Sequence, residues 1–401
     1  MTFITMSNQE LDRYQIILRL LRKEINNPQT AELLKLGIRQ VKRLKKQVQL
    51  LGPKALIHGN RGKLGNHRIP DKERSRIISI IKSRYLDFNP TFAAEKLKEL
   101  HSISRDVKTI RQIMIDESLW KPRNKKQSEH RAWRQRRPCE GEMQQFDGSY
   151  HDWFEDRAPK SCLLASIDDA TGKITHAVFG LSEGVTEVFG FWQGYLLENG
   201  KPRSIYMDKF STYKMNPKFA QENHELKTQF ERALQELQIE PITAHSPEAK
   251  GRVERLFGVL QDRLVKELRL NNISTIEAAN RFLKEIFIPK FNQQFAVAAA
   301  NPTNLHQPLT FKEKQQLPAI FSKQYTRTVQ NDFTVSFNNQ WYQLTNDQPV
   351  TVAKQDHVTI EERLDTTVKI RLRGKYLNYH IIPKRILKRS QPWVLAAVAN
   401  H

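Results

Sequence analysis

Residues 143–181 read MQQFDGSYHDWFEDRAPKSCLLASIDDATGKITHAVFGL, and their spacing decides how the middle of the chain folds. MQQFDGS, SCLLASI and KITHAVFGL each read as a strand, separated by short connections. Between the second and third stands Asp168-Asp169-Ala170-Thr171-Gly172, a hairpin signal that accounts for both acids structurally, without catalysis. Downstream the elements alternate. Residues 185–198 predict a helix, and RSIYM (203–207) predicts a strand ending at Asp208. Phe230, Leu234 and Leu237 mark the inner face of a second helix, and IEPITA (239–244) is a last strand. It leads into AHSPEAKGRVERLFGVLQDRLVKELRL (244–270), which opens on a Ser-Pro break and continues as a long helix with no further proline.

An antiparallel meander followed by alternating elements is the layout of a ribonuclease-H-like α/β fold. In that layout Asp147, on the first strand, and Asp208, after the fourth, lie side by side at the strand ends. Glu254 stands near the start of the long helix, among Lys250, Arg252 and Arg255. An acid in a basic helix can simply pair with its neighbours, worth about a few tenths of a kcal/mol. Three acids from two strands and a helix have a sharper use. They can hold two divalent cations about 3.5–4 Å apart, which clamp the attacking and leaving oxygens of a phosphodiester. Magnesium takes such hard oxygen ligands, with water and phosphate completing its shell.

The rest of the composition points the same way. Lys and Arg number 65 against 43 Asp and Glu, a net charge of +22, which favours a polyanionic partner. Two cysteines, Cys139 and Cys162, exclude a disulfide scaffold and a Cys-rich zinc cluster and fit a reducing compartment. No apolar run reaches the roughly 20 residues that span a bilayer, and the N-terminus lacks a secretion signal. A cytoplasmic protein with no membrane partner is expected. At 401 residues the chain calls for more than one domain.

N-terminal to the meander the periodicity is helical. Residues 8–24 predict an amphipathic helix. Ala31 and Leu34 face inward on a short second helix, Gly37 supplies a turn, and Ile38, Val41 and Leu44 line a third. That third helix exposes Arg39, Gln40, Lys42, Arg43, Lys45 and Lys46, the pattern of a helix-turn-helix that enters the DNA major groove. A plain αα-hairpin with a basic outer face is the alternative. HGNRG (58–62) is a basic loop containing Arg61. Residues 71–85, 89–100 and 107–114 predict three more helices, with Phe92, Ala93, Leu97 and Leu100 as a buried stripe and Ser104 or Asp106 as a cap. KPRNKKQSEHRAWRQRRP (121–138) carries eight basic residues, Lys125, Lys126 and Arg134 among them, and one acid. It reads as a linker that also tracks a phosphate backbone.

C-terminal to the long helix, residues 273–287 predict another helix with Ile276, Ala279, Phe282, Leu283 and Ile286 inward and a capping box at Ser274–Glu277. NQQFAVAAANPTN (292–304) reads as a linker. From Phe333, alternation at 333–337, 350–352, 358–360 and 368–372 predicts a small barrel. Its Lys369, Arg371, Arg373 and Lys375 suit DNA or subunit contact, or edge protection.

Beyond these patterns, the chain closely resembles bacterial insertion-sequence transposases with an integrase-type Asp-Asp-Glu core, in detail the group called ISNCY. The resemblance is carried by HGNRG (58–62), QFDGSYHDWFEDR (145–157), LLASIDDATGKI (163–174), AHSPEAKGRVER (244–255), LQDRLVKELRL (260–270) and ISTIEAAN (273–280). It implies that Asp147 bridges two magnesium ions, with manganese as the substitute, while Asp208 holds one ion and Glu254 the other. It implies nicking at the element's terminal inverted repeats, then attack of the freed 3′-hydroxyl on target DNA, with Lys250, Arg252, Arg255 and Arg263 steering the backbone. A dimer or higher multimer on paired ends, acting at the bacterial nucleoid, follows from the same resemblance. Glu248 is the rival third ligand, but the family's Gly-x-x-Glu spacing lands on Glu254. The chain departs from the pattern at Lys209-Phe210 and Lys250-Gly251, where many relatives have Asn-Gly, and by an apparent insertion at 209–227. A DNA-binding regulator without activity and a nuclease of the same fold are the alternatives.

The expected layout is therefore multidomain. A helix-turn-helix domain (1–65) and a second, helix-turn-helix-like or purely structural, helical module (66–120) lead through a basic linker (121–138) to an α/β ribonuclease-H-like integrase core (139–295). A linker (296–328), a small β-barrel (329–388) and a tail (389–401) follow.

Overall fold

The structure is a computed structural model that describes residues 4–61, 69–122, 135–207, 229–243 and 251–382. The chain divides into two compact units, Met1–Lys125 and Lys126–His401.

The first unit is helical. Helices α1 (Asn8–Leu21), α2 (Asn27–Leu34) and α3 (Ile38–Leu51) close over Ile17, Leu20, Val41, Val48 and Leu56. Capping boxes at Ser7–Glu10 and Asn26–Gln29 start α1 and α2 by satisfying backbone N–H groups that helical bonding leaves open. Next come α4 (Asp71–Arg84), α5 (Pro90–His101) and α6 (Val107–Asp116). Asn89 caps α5, and of the two expected caps Asp106 is the one that starts α6. Leu100 is 51% exposed, outside the stripe expected for it, while Ile103 just beyond α5 is buried.

The second unit is built on a five-stranded mixed sheet. Its strands are β2 (Met143–His151), β3 (Ser161–Asp168), β4 (Ile174–Gly180), β5 (Ser204–Met207) and β6 (Glu240–Thr243), and β1 (Cys139–Glu140) precedes them. The order is β4-β3-β2-β5-β6. Strands β2, β3 and β4 pair antiparallel, while β5 and β6 run parallel to β2. Strand β3 is buried along its whole length because both faces of the sheet are covered. On one face lie α7 (Val185–Asn199) and α8, a helix described over 229–236, packing Phe189, Trp192, Phe230 and Leu234 on Phe146, Cys162 and Leu164. On the other lie α9 (Gly251–Leu270), α10 (Ile276–Phe282) and α11 (Ile288–Phe295), packing Leu256, Leu260, Leu264 and Phe282 on Leu163, Ala165 and Ile167. Each such leucine contributes about 1.5–3 kcal/mol when fully buried.

Three expectations change here. Thr275, not Ser274, caps α10, so Glu277 is not placed to close a capping box. Between α10 and α11 the residues Leu283–Phe287 form a single π turn. The extra residue rotates the helix, so Phe287 and Phe291 turn inward and Ile286 is left 53% exposed. Residues 296–328, expected as a linker, contain β7 (Asn301–Asn304) beside β1, α12 (Phe311–Ile320) and β8 (Lys323–Thr328). Leu309, Leu317, Ile320 and Phe321 join the core under α7.

The strands β9 (Thr334–Phe337), β10 (Gln340–Leu344), β11 (His357–Glu362), β12 (Val368–Leu372), β13 (Lys375–Tyr376) and β14 (Tyr379–Ile382) complete the described chain. A small barrel was expected; among the described residues the pairing closes no single sheet. It gives a four-stranded sheet, β13-β12-β11-β8, and a three-stranded one, β14-β10-β9, around a shared core of Val335, Tyr342, Val358, Ile360 and Ile370. No described helix is long and apolar enough to cross a membrane.

Candidate active site

Strand alternation decides which way Asp147 faces. Phe146 enters the core under α7, so Gln145, Asp147 and Ser149 belong to the opposite face of β2. Their partners across β3 agree: Ile167, Ala165 and Leu163, in that order, all pack with α9. Two hydrogen bonds then fix β2 to α9. The Val253 N–H donates to Gln145 Oε1 at 3.2 Å, and Gln261 Nε2 donates to Ser149 Oγ at 3.2 Å. Asp147, half-buried, lies between these two points on the strand. Glu254, exposed, follows Val253 in the first turn of the helix. Gly258, one turn further, has nothing within 4 Å of where a Cβ would stand, so the helix edge beside Glu254 is open. The two acids thus ride on elements held together on either side of them.

Asp208 lies outside the described residues, as do Glu248, His245 and Lys250. Strand β5, which ends on Met207, runs parallel beside β2 with Tyr206 opposite Gln145. Among the described residues no three His, Cys, Asp or Glu side chains gather as a metal cage. The two described acids offer carboxylate oxygens only, the donor type that suits magnesium rather than a softer metal.

Asp168 and Asp169 are fully buried. Asp168 accepts from the Gly141 N–H, Gln144 Nε2, the Thr171 N–H and Thr171 Oγ1, at 2.8–2.9 Å. Asp169 accepts from the Arg137 N–H at 2.8 Å, Gln145 Nε2 at 2.7 Å and Arg252 Nη1 at 2.6 Å. Sequence reasoning passed over Gln145 beside the candidate site and read Asp169 as a hairpin acid. The available signal for Gln145 was its place two residues before Asp147, on the same strand face.

The basic candidates separate by surroundings. On α3, Arg39, Lys42 and Arg43 are exposed and Gln40 is half-buried. Arg61 turns back onto its own unit, donating to Glu10 Oε2 at 2.5 Å and to the Thr5 carbonyl at 3.0 Å. Hydrogen bonding from the Ser7 N–H and from Arg61 lowers the Glu10 pKa to about 2. Arg252 is engaged with Asp169, Arg263 lies over the Phe295 ring at 5.0 Å, and Arg255 is exposed. Lys125, Lys126 and Arg134 lie outside the described residues. In the C-terminal sheets Arg371 pairs with the buried Glu361, and Arg373 with Asp356. Near Asp147, burial pushes the Cys162 thiol up to about 12, with the charges of Glu183 and Asp147 adding to the effect. A thiol so held is a packing residue, not a nucleophile.

No protein-family model matches the chain. A Sinorhizobium fredii (strain NBRC 101917 / NGR234) protein that carries a transposase name, y4bF, is 36% identical over 401 residues, 100% of this chain and 86% of the relative. The chain belongs to the insertion-sequence transposases. The transposase for insertion sequence IS1202 of Streptococcus pneumoniae is 28% identical over 373 residues, 83% of this transposase and 77% of its relative. Two solved structures overlap it loosely. One is a simian T-cell lymphotropic virus intasome in complex with PP2A regulatory subunit B56 gamma, with a TM-score of 0.32 and 17% identity, covering 73% of this chain and 97% of that one. The other is the HTLV-2 integrase catalytic core domain in complex with magnesium in its trimeric form, with a TM-score of 0.27 and 20% identity, covering 36% of this chain and 82% of that one. Overlaps this loose add nothing to the fold read from the sheet order.

Proposed function

We propose that the chain is an Asp-Asp-Glu transposase with a ribonuclease-H-like core, which cleaves DNA at the ends of its element and joins the freed 3′-hydroxyls to target DNA. The observation that carries the reading is the placement of Asp147 between two hydrogen bonds that tie its strand to the helix bearing Glu254. The strand order β4-β3-β2-β5-β6 supports the core assignment. Asp147, Asp208 and Glu254 would hold magnesium, with manganese as a substitute. Two such ions, when bound, favour ionisation of water and offset charge on the phosphate oxygens. Glu254, in the first turn of α9, is exposed, so a cation can reach its carboxylate.

In the proposed cleavage a water oxygen bonds to phosphorus at the element end, and the 3′-oxygen leaves to become a hydroxyl. In joining, that hydroxyl oxygen bonds to a target phosphorus and a target 3′-oxygen leaves. Neither step needs a covalent bond between protein and DNA, so no Ser or Tyr nucleophile is invoked. The exposed face of α3 (Arg39, Lys42 and Arg43) would enter the major groove as the second helix of a helix-turn-helix, and Arg255 would meet backbone phosphate near the site. Paired ends call for at least a dimer.

The test is a cleavage and strand-transfer assay on labelled duplexes carrying the element's terminal inverted repeats. Asp147→Asn, Asp208→Asn and Glu254→Gln should each abolish both products while end binding stays within a few fold. Near-normal cleavage by Glu254→Gln would exclude it as the third ligand. Cleavage without joining by the wild-type chain would make it a nuclease.

A further inference from the structure

We infer that Asp169 is a positioning residue of the catalytic centre, and that Arg252 belongs to the same device and is not a DNA contact. The inference rests on the proposed Asp147–Glu254 site and adds to it what sets the spacing. Asp169 divides its carboxylate between two jobs. Oδ2 accepts the Arg137 N–H, two residues before β1. Oδ1 accepts Gln145 Nε2 at 2.7 Å and Arg252 Nη1 at 2.6 Å. With its amide nitrogen held there, Gln145 turns its Oε1 to the Val253 N–H. One buried oxygen therefore holds a residue two before Asp147 on the strand and a residue two before Glu254 on the helix.

The N-terminal amides of a helix lack intrahelical partners, so the first turn of α9 is the part most easily displaced. Gln145 satisfies one of these amides from the strand side. Arg252, 17% exposed in its side chain, turns its guanidinium inward to a fully buried acid. A phosphate contact that drew this guanidinium outward would take the ion pair from that acid. Burying a carboxylate is costly unless it is paired and hydrogen-bonded. Without Oδ1 as anchor, the strand and helix keep their apolar packing through Leu256 and Leu260 but lose the bonds that set the carboxylates against each other.

The test uses the full chain with Asp169→Asn, Arg252→Gln and the double variant, and Arg252→Lys as a charge-preserving fourth should the others fold poorly. Three readouts are taken: amide hydrogen exchange over 251–256 in metal-free protein, Mg2+ and Mn2+ affinity by calorimetry, and end binding. Expected are faster exchange confined to that segment and metal affinity reduced about 10-fold to 100-fold, the range for partners that orient metal-binding side chains. The double variant should be no worse than the worse single one, Arg252→Lys should fall in between, and end binding should stay within about twofold. Wild-type exchange and metal affinity in the folded variants would overturn the inference. So would an Arg252→Gln or Arg252→Lys protein that loses end binding while binding metal normally, since Arg252 would then be a DNA contact. A chain in which Asp147→Asn still cleaves would instead sink the proposed function.

Discussion

Asp168→Asn separates a structural acid from a catalytic one. The side chain is fully buried at the end of β3 and accepts four hydrogen bonds, two on each oxygen. Asparagine has the same shape but turns one oxygen into an NH2 group, whichever way the amide is placed. With the NH2 placed towards Thr171, the Thr171 hydroxyl can turn to accept from it, and the Thr171 N–H is left facing a donor. A hydrogen bond to a charged acceptor contributes about 1.5–3 kcal/mol, so the loss of one comes to roughly that amount. Against a total stability of about 5–15 kcal/mol that is a sizeable fraction. At about 2–4 °C per kcal/mol for a unit of this size, Tm should fall by roughly 3–12 °C. Calorimetry on the full chain measures it. Below the lowered transition the variant should still cleave element ends within a few fold of wild type, because Asp168 turns away from the Asp147–Glu254 edge to hold Gly141, Gln144 and Thr171. A variant that melts like wild type yet does not cleave would refute this reasoning and make Asp168 a catalytic candidate.

Other outcomes follow from the same structure. Hydrogen bonding from Lys201 and Thr310 lowers the Glu313 pKa to about 2 from an ordinary 4.5. A folded pKa below the unfolded one means that its stabilisation is fully present above pH 4.5 and is lost as pH falls towards 2. Glu313→Gln should therefore flatten the acid limb of the stability curve between those values, and equal slopes would remove the contact from the account. The π turn predicts opposite fates for neighbours: Ile286→Ser should change stability by about 0.5 kcal/mol or less, and Phe287→Ala should cost about 3 kcal/mol or more. Denaturant unfolding distinguishes this from a regular helix, in which Ile286 would be the costly one. End binding by several phosphate contacts should weaken by roughly 10³ or more between 50 and 200 mM salt, and a flat response would remove the basic surfaces from the proposal.

How much of this was legible in the sequence depended on whether the signal was local. The meander could be read from MQQFD, SCLLASI and KITHAVFGL because strands buried on one or both faces leave apolar runs bounded by turns. Strands β8 (KQYTRT) and β10 (QWYQL) could not, since their half-exposed faces carry polar residues and no clean alternation. Helix α12 contains Pro318, which argues against a helix until Leu317 and Ile320 are seen buried on either side of it. The π turn has no periodic signature at all, and it moved Ile286 out of the core. Around the site the limit was distance along the chain. Asp169 meets Gln145 across 24 positions and Arg252 across 83. Nothing in an arginine's neighbours along the helix tells whether it points out to phosphate or in to a buried acid. Asp147 and Glu254 were read as candidates from their elements, and that these two elements lie against each other came only with the bonds at Val253 and Ser149.

The most direct test of a shared metal site maps the metal on the protein itself. Iron(II) put in place of magnesium, with ascorbate and peroxide, releases hydroxyl radicals that cut backbone close to where the ion sits. Three groups of cuts are predicted, around Asp147, at Met207–Asp208 and around Glu254, all suppressed by excess Mg2+ and absent in Asp147→Asn. Cuts that miss any of these segments, or that persist in Asp147→Asn, would contradict the central claim.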